Sequence, residues 1–244
     1  GAGNDVITIS GGAETDHGDT ISGGAGNDTF KFATGKLTKT DTIKGGAGTD
    51  SLEGTTDGTT VADIDFTGVT NVEEFTITAG SQLTLLTLDS VAAAAGLNKV
   101  VLTADGASHT VNVTSGFSND LTVDLGADST AGAFVVNAST STSTAYSGVL
   151  SITAAGTDMD SVASTITGGS GLTDTITISS GGTPLMTSVT NIEKVVLATA
   201  GSDATITLVD GNATYTNGTT YETITIDGSA LTTGALTAAA EAEV

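Results

Sequence analysis

The chain has no cysteine, no tryptophan, no arginine and a single proline, Pro184, among 244 residues. Without cysteine there is neither a disulfide framework nor a thiolate metal site. Without arginine, bidentate recognition of phosphates and base edges is missing. Positive charge is scarce altogether: six lysines (Lys31, Lys36, Lys39, Lys44, Lys99 and Lys194) face 28 Asp and Glu, for a net charge of −22. A field of that sign repels polyanions and excludes nucleic acid as a partner. No apolar run approaches the ~20 residues of a membrane helix, so helical membrane insertion is not expected. The longest helix-like piece is Val91 to Ala95 with Leu97. Histidine is limited to His17 and His109, both expected as solvated surface residues. No nucleophile elbow accompanies the many serines, and the adjacent Glu73-Glu74 would face opposite sides of a strand. The chain is not expected to be an enzyme.

What is present is apolar and small. Hydrophobic residues make up 38% of the chain, too many for a disordered acidic polymer. They are mostly Val, Ile, Leu and Ala set among threonines, which suits half-buried pleated strands. Thr110-Val111-Asn112-Val113 and Thr223-Ile224-Thr225-Ile226 alternate with period two, one face apolar and one face wet. With 33 glycines and one proline, the turns must be made by glycine, and the fold class is all-β.

The glycines are not scattered. Gly23-Gly24-Ala25-Gly26-Asn27-Asp28-Thr29-Phe30-Lys31 matches the nonapeptide G-G-x-G-x-D-x-U-x, where U is large and apolar. Gly45 to Glu53 matches it again, and Gly1 to Thr8 matches it with the first glycine missing. Asp5, Asp28 and Asp50 stand 23 and 22 residues apart, and Gly3, Gly26 and Gly48 and Ile7, Phe30 and Leu52 take the same steps. A second series, Asp19, Asp41 and Asp63, recurs every 22 residues between them. The text around it repeats as Asp19-Thr20-Ile21 and Asp41-Thr42-Ile43, while Asp63 fits less well because Asp65 replaces the apolar residue. Two interleaved series with one period predict a parallel β-roll of about 22 residues per coil, with two strands and two turns in each.

This stretch resembles the RTX (repeats-in-toxin) calcium-binding family. The resemblance implies that Gly1, Gly3, Gly24, Gly26, Gly46 and Gly48 supply backbone carbonyls and that Asp5, Asp28 and Asp50 supply carboxylates. One Ca2+ would sit between the Asp5 and Asp28 turns and another between the Asp28 and Asp50 turns. Asp19 and Asp41 would frame a further ion on the opposite edge, with Asp16 assisting. The chemistry agrees: coils stacked 4.7–4.9 Å apart bring hard oxygens close together, and calcium takes 6–8 of them at 2.3–2.6 Å. Zinc would call for His or Cys, and magnesium for a stricter octahedron. Because stacked aspartates repel, metal binding would drive folding.

Beyond residue 66 a longer repeat takes over. Gly68-Val69-Thr70-Asn71-Val72-Glu73-Glu74-Phe75 returns as Ser188-Val189-Thr190-Asn191-Ile192-Glu193-Lys194-Val195, offset by 120. A worn glycine turn, Gly168-Gly169-Ser170-Gly171-Leu172-Thr173-Asp174, precedes the second copy, and Asp174 is a further possible ligand. Three units follow: a calcium-binding roll over 1–66, a Thr/Val-rich β unit over 67–166 and a truncated second copy over 167–244. The roll is expected to continue as a β-solenoid or to give way to a β-sandwich. Its clipped opening reads as an internal piece of a longer polypeptide. In style the chain is similar to bacterial S-layer proteins and large surface adhesins. That likeness implies a secreted, cell-surface structural protein that self-associates into a lattice or filament. The alternative is an adhesin or binding module that contacts a cell-surface glycan.

Overall fold

The computed structural model describes residues 1–9, 18–56, 58–77, 83–102, 108–125, 133–139, 145–156, 159, 164–171, 173–179, 186–198, 204–208, 215–216, 220–221, 224–230 and 236–240. Ten short parallel strands form one sheet in chain order. They are Val6–Ile9, Thr29–Phe32, Ser51–Gly54, Glu74–Ile77, Lys99–Leu102, Leu121–Asp124, Leu150–Ala154, Thr175–Ile178, Lys194–Leu197 and Thr225–Asp227. Between most successive members the chain lays a strand in a second wall and returns. That wall begins as a three-stranded sheet (Thr20–Ala25, Thr42–Ala47, Val69–Thr70). A separate six-stranded sheet (Thr59–Val61, Leu83–Leu88, His109–Val113, Phe134–Asn137, Thr165–Thr167, Val189–Thr190) starts in the coil that also carries Val69–Thr70. The result is a β-solenoid, and the β-sandwich alternative falls. The ten-stranded sheet crosses both junctions that the repeats mark, at 66/67 and 166/167, without a break.

The strand text explains the stacking. In Thr29–Phe32 and Ser51–Gly54, alternate residues point inward. The register aligns Ile7, Phe30, Leu52, Phe75, Val100, Val123, Ile152, Ile176, Val195 and Ile226 into one apolar column along the core. From Phe30 to Val195 these side chains are essentially fully buried. Each such burial contributes about 1.5–3 kcal/mol, and a one-residue slip would turn the whole column to water. The outward columns are mostly polar, with Val6, Val101 and Val196 among them, and hold ion pairs between neighbouring coils, Lys31 with Glu53 at 3.0 Å and Lys99 with Glu74 at 2.9 Å.

Coil length differs from the sequence expectation. Steps of 23, 22 and 23 residues carry Val6 to Thr29, Ser51 and Glu74, but Thr122 to Ser151 takes 29 and Thr175 to Lys194 only 19. The average is about 24 rather than 22. Only the pleated strands have to superpose, so turn length is free to vary where no glycine–aspartate turn repeats.

Two local expectations also change. His109 is buried rather than solvated, at 1% exposure. It shares strand parity with the inward Val111 and Val113, its Nδ1 accepts the Leu83 N–H at 3.1 Å, and its ring stacks on Phe134 at 5.7 Å. Asp63 does not extend the second aspartate series. It opens a 3-10 turn, Asp63–Phe66, and its carboxylate accepts the N–H groups of Asp89, Val91 and Ala92 at 2.9, 3.2 and 2.8 Å. These donors lie at the start of the short helix Ser90–Ala95, whose first N–H groups have no partner within the helix itself.

Candidate metal centre

The three glycine–aspartate turns stack along one edge of the solenoid. Gly24 pairs with Gly46 and Ala25 with Ala47, while Ala2 bridges to Ala25. Gly3, Gly24, Gly26, Gly46 and Gly48 have φ of 115°, 116°, 120°, 122° and 139°, a region closed to most side chains. The approach of the backbones is as restrictive as the torsions. A Cβ on Gly24 would overlap the carbonyl oxygen of Gly1, and one on Gly46 that of Gly24. Gly26 and Gly48 stand in the same relation to Gly3 and Gly26. Carbonyl oxygens of Gly1, Gly3, Gly24 and Gly26 therefore line the contacts between successive turns.

The aspartates form a ladder. The Asp5 N–H donates to Asp28 Oδ1 at 2.8 Å, and the Asp28 N–H donates to Asp50 Oδ1 at 2.7 Å. Each carboxylate thus spends one oxygen on the coil before it. The other oxygen is left over. Oδ2 of Asp28 and of Asp50 is buried with no hydrogen-bond partner among the described residues, and the side chains are 1% and 0% exposed. Both point into their own glycine turn, where a Cβ on Gly45 would come within 2.5 Å of Asp50 Oδ2 and one on Gly23 would overlap Asp28 Oδ2. Leaving a charged acceptor buried and unpaired costs several kcal/mol, on the order of 3 or more. A cation in the turn would remove that cost.

The donor set is oxygen only. Among the described residues no three His, Asp or Glu side chains gather at one point, so an ion here would rest on backbone carbonyls and one carboxylate per turn. Such a set fits calcium, which accepts carbonyls and irregular geometry. Asp5, at the first turn, is half-buried.

The opposite edge is different. Asp41 is buried and its Oδ1 accepts the Asp19 N–H at 2.9 Å, while Oδ2 accepts the N–H and hydroxyl of Thr38 at 2.7 and 3.1 Å. Asp19 and Asp41 do come together across one coil, but the chain itself engages both oxygens of Asp41. Asp16 and His17 lie outside the described residues.

Sequence reasoning missed the residues that end the ladder. Asn71 is left-handed at φ 51°, which shortens the next turn to Asn71-Val72-Glu73. Glu73 takes the place of a fourth aspartate, its Oε2 accepting the Asp50 N–H at 2.8 Å. The same device recurs 120 residues on. Asn191 has φ 55°, and Glu193 Oε2 accepts the Asp174 N–H at 2.8 Å. The repeated Val-Thr-Asn-Val/Ile-Glu text was the available signal. In register, Asp174 occupies the Asp28–Asp50 column.

In comparisons with known proteins, no family model matches the chain, and no curated protein or solved structure is significantly similar to it.

Proposed function

We propose that the chain is a calcium-stabilised structural segment of an extracellular surface protein, a building unit of a lattice or filament. One observation carries the reading: two stacked, buried carboxylates each retain an unpartnered oxygen aimed into a turn lined with carbonyls. The rest is consistent with it. A net charge of −22 without a disulfide calls for a counter-ion if the acidic turns are to pack. A solenoid whose coils repeat one cross-section is an extensible scaffold and has no need of a catalytic cleft. Modules of this kind hold calcium with Kd near 10⁻⁴–10⁻³ M, weak enough for release in the cytosol and filling outside the cell.

Circular dichroism during calcium titration from EGTA, paired with negative-stain electron microscopy, tests the proposal. A gain of β signal at about 10⁻⁴–10⁻³ M calcium, with sheets or fibres that dissolve in chelator, is the expected result. Monomers in both conditions would remove the lattice role, and an unchanged spectrum would remove the calcium role.

A further inference from the structure

The second glycine turn keeps several contacts of the first stack, but it is one residue longer before its aspartate, and Gly169 and Gly171 lack the positive φ of Gly24, Gly26, Gly46 and Gly48. A Cβ on Gly169 would overlap the carbonyl oxygen of Tyr146, as one on Gly46 overlaps that of Gly24. A Cβ on Gly171 would come within 3.0 Å of the Gly148 carbonyl oxygen, the counterpart of Gly48 on Gly26. Asp174 Oδ1 accepts the Leu150 N–H at 2.9 Å, as Asp50 Oδ1 accepts that of Asp28. Asp174 is 0% exposed, like Asp50. The aspartate differs at Oδ2. In Asp174 it accepts the Gly169 N–H at 2.7 Å, where Asp28 and Asp50 leave it unpartnered.

The coils between the two stacks are stitched in the same manner. The buried Tyr146 hydroxyl, held between two carbonyls, lies 2.7 Å from Asn119 O and 3.1 Å from Val149 O. The Asn119 amide donates to Ala93 O and Leu97 O at 3.0 and 2.9 Å. Asn119, Tyr146 and Asp174 thus join successive coils through side-chain hydrogen bonds among the described residues.

We infer that only the first stack answers to calcium, and that the Asp174 turn is a glycine–aspartate turn closed by its own backbone, which keeps the later coils folded without metal. The inference rests on the calcium reading of Asp28 and Asp50 for its contrast. Because the ten-stranded sheet is continuous, the later coils then present a formed strand, Glu74–Ile77, on which the first three coils can re-pair when calcium returns. The device is a permanent seed joined to a calcium-set arm.

Hydrogen–deuterium exchange of the full chain in 5 mM (about fiftyfold excess) EGTA against 5 mM (roughly saturating) calcium tests it. Protection at Phe30–Phe32 and Leu52–Gly54 should fall at least about tenfold in EGTA, while Ile152–Ala154, Ile176–Ile178 and Val195–Leu197 stay within about twofold. Collapse of both regions together would overturn the inference and leave the calcium reading standing. No change in either region would overturn the calcium reading itself, and the contrast with it. Asp50→Asn should raise the calcium needed for protection at Phe30–Phe32 and Leu52–Gly54 by at least about tenfold, without altering protection at Ile176–Ile178. Asp174→Asn should lower protection at Ile176–Ile178 equally with and without calcium. If Asp174→Asn instead acted only in calcium, the Asp174 turn would be a metal site and the inference wrong.

Discussion

The amide of Asp28 donates to Oδ1 of Asp50 at 2.7 Å, which leaves Asp50 Oδ2 buried without a partner among the described residues. One carboxylate is thus divided between two tasks, a coil-to-coil hydrogen bond and a free acceptor inside a glycine turn. Asp50→Asn separates them, because the amide oxygen can still take the Asp28 N–H. The expected outcome is an affinity for calcium lower by at least about tenfold, near 1.4 kcal/mol, with stability in EGTA unchanged or higher. Calcium titrations of the two proteins, followed by circular dichroism, check it.

Gly46 has φ 122° and faces the carbonyl of Gly24 with no room for a Cβ. Gly46→Ala should cost at least about 1–3 kcal/mol from backbone strain alone. Partial proteolysis should find the first three coils opened, and excess calcium should not restore them.

Asn71 and Asn191 are the described non-glycine residues with positive φ, and each makes the short turn that sets a glutamate beneath an aspartate amide. Asn71→Gly should be nearly neutral, whereas Asn71→Val should cost about 1–2 kcal/mol, since a β-branched side chain resists the left-handed region. Urea denaturation of the pair, in calcium, gives the comparison.

Tyr146 is fully buried, and its hydroxyl sits against the carbonyls of Asn119 and Val149. Burial first, then the nearby Asp120 and Asp174, push the phenol well above its ordinary value of 10.0. The fold therefore favours the protonated form. Its contribution is complete below the free phenol's value and declines as pH rises beyond it. Tyr146→Phe should cost about 1–2 kcal/mol at neutral pH by stranding the Asn119 carbonyl, since Val149 O still accepts the Leu121 N–H at 2.9 Å. It should also flatten the loss of stability that the parent shows above pH ~10, measured as urea midpoints against pH.

Much of this molecule was legible because its strands are repetitive. Phe30 and Leu52, set at one period with Asp28 and Asp50, fix strand parity and column at once, so the roll and its glycine turns follow from spacing alone. Past residue 66 the period drifts because only inward apolar residues need to superpose, and the coil length expected from the first turns no longer holds. His109 was misread because a lone polar residue at a strand start was weighed as surface, although it shares parity with Val111 and Val113. The saturation of Asp41 by Thr38 and the self-closure of Asp174 depend on where individual oxygens point. Composition and spacing carry no information on that. The repeated Asn-Val/Ile-Glu text was visible as a repeat, but its role as the end of a ladder depends on a left-handed asparagine.

The most direct measurement is calcium binding to the full chain by isothermal titration calorimetry, beside an Asp28→Asn/Asp50→Asn double variant. Saturable uptake at about 10⁻⁴–10⁻³ M in the parent, lost in the variant, is the result expected when ions rest between these turns. Absence of uptake at roughly ten times that concentration, or uptake the variant retains in full, would contradict it.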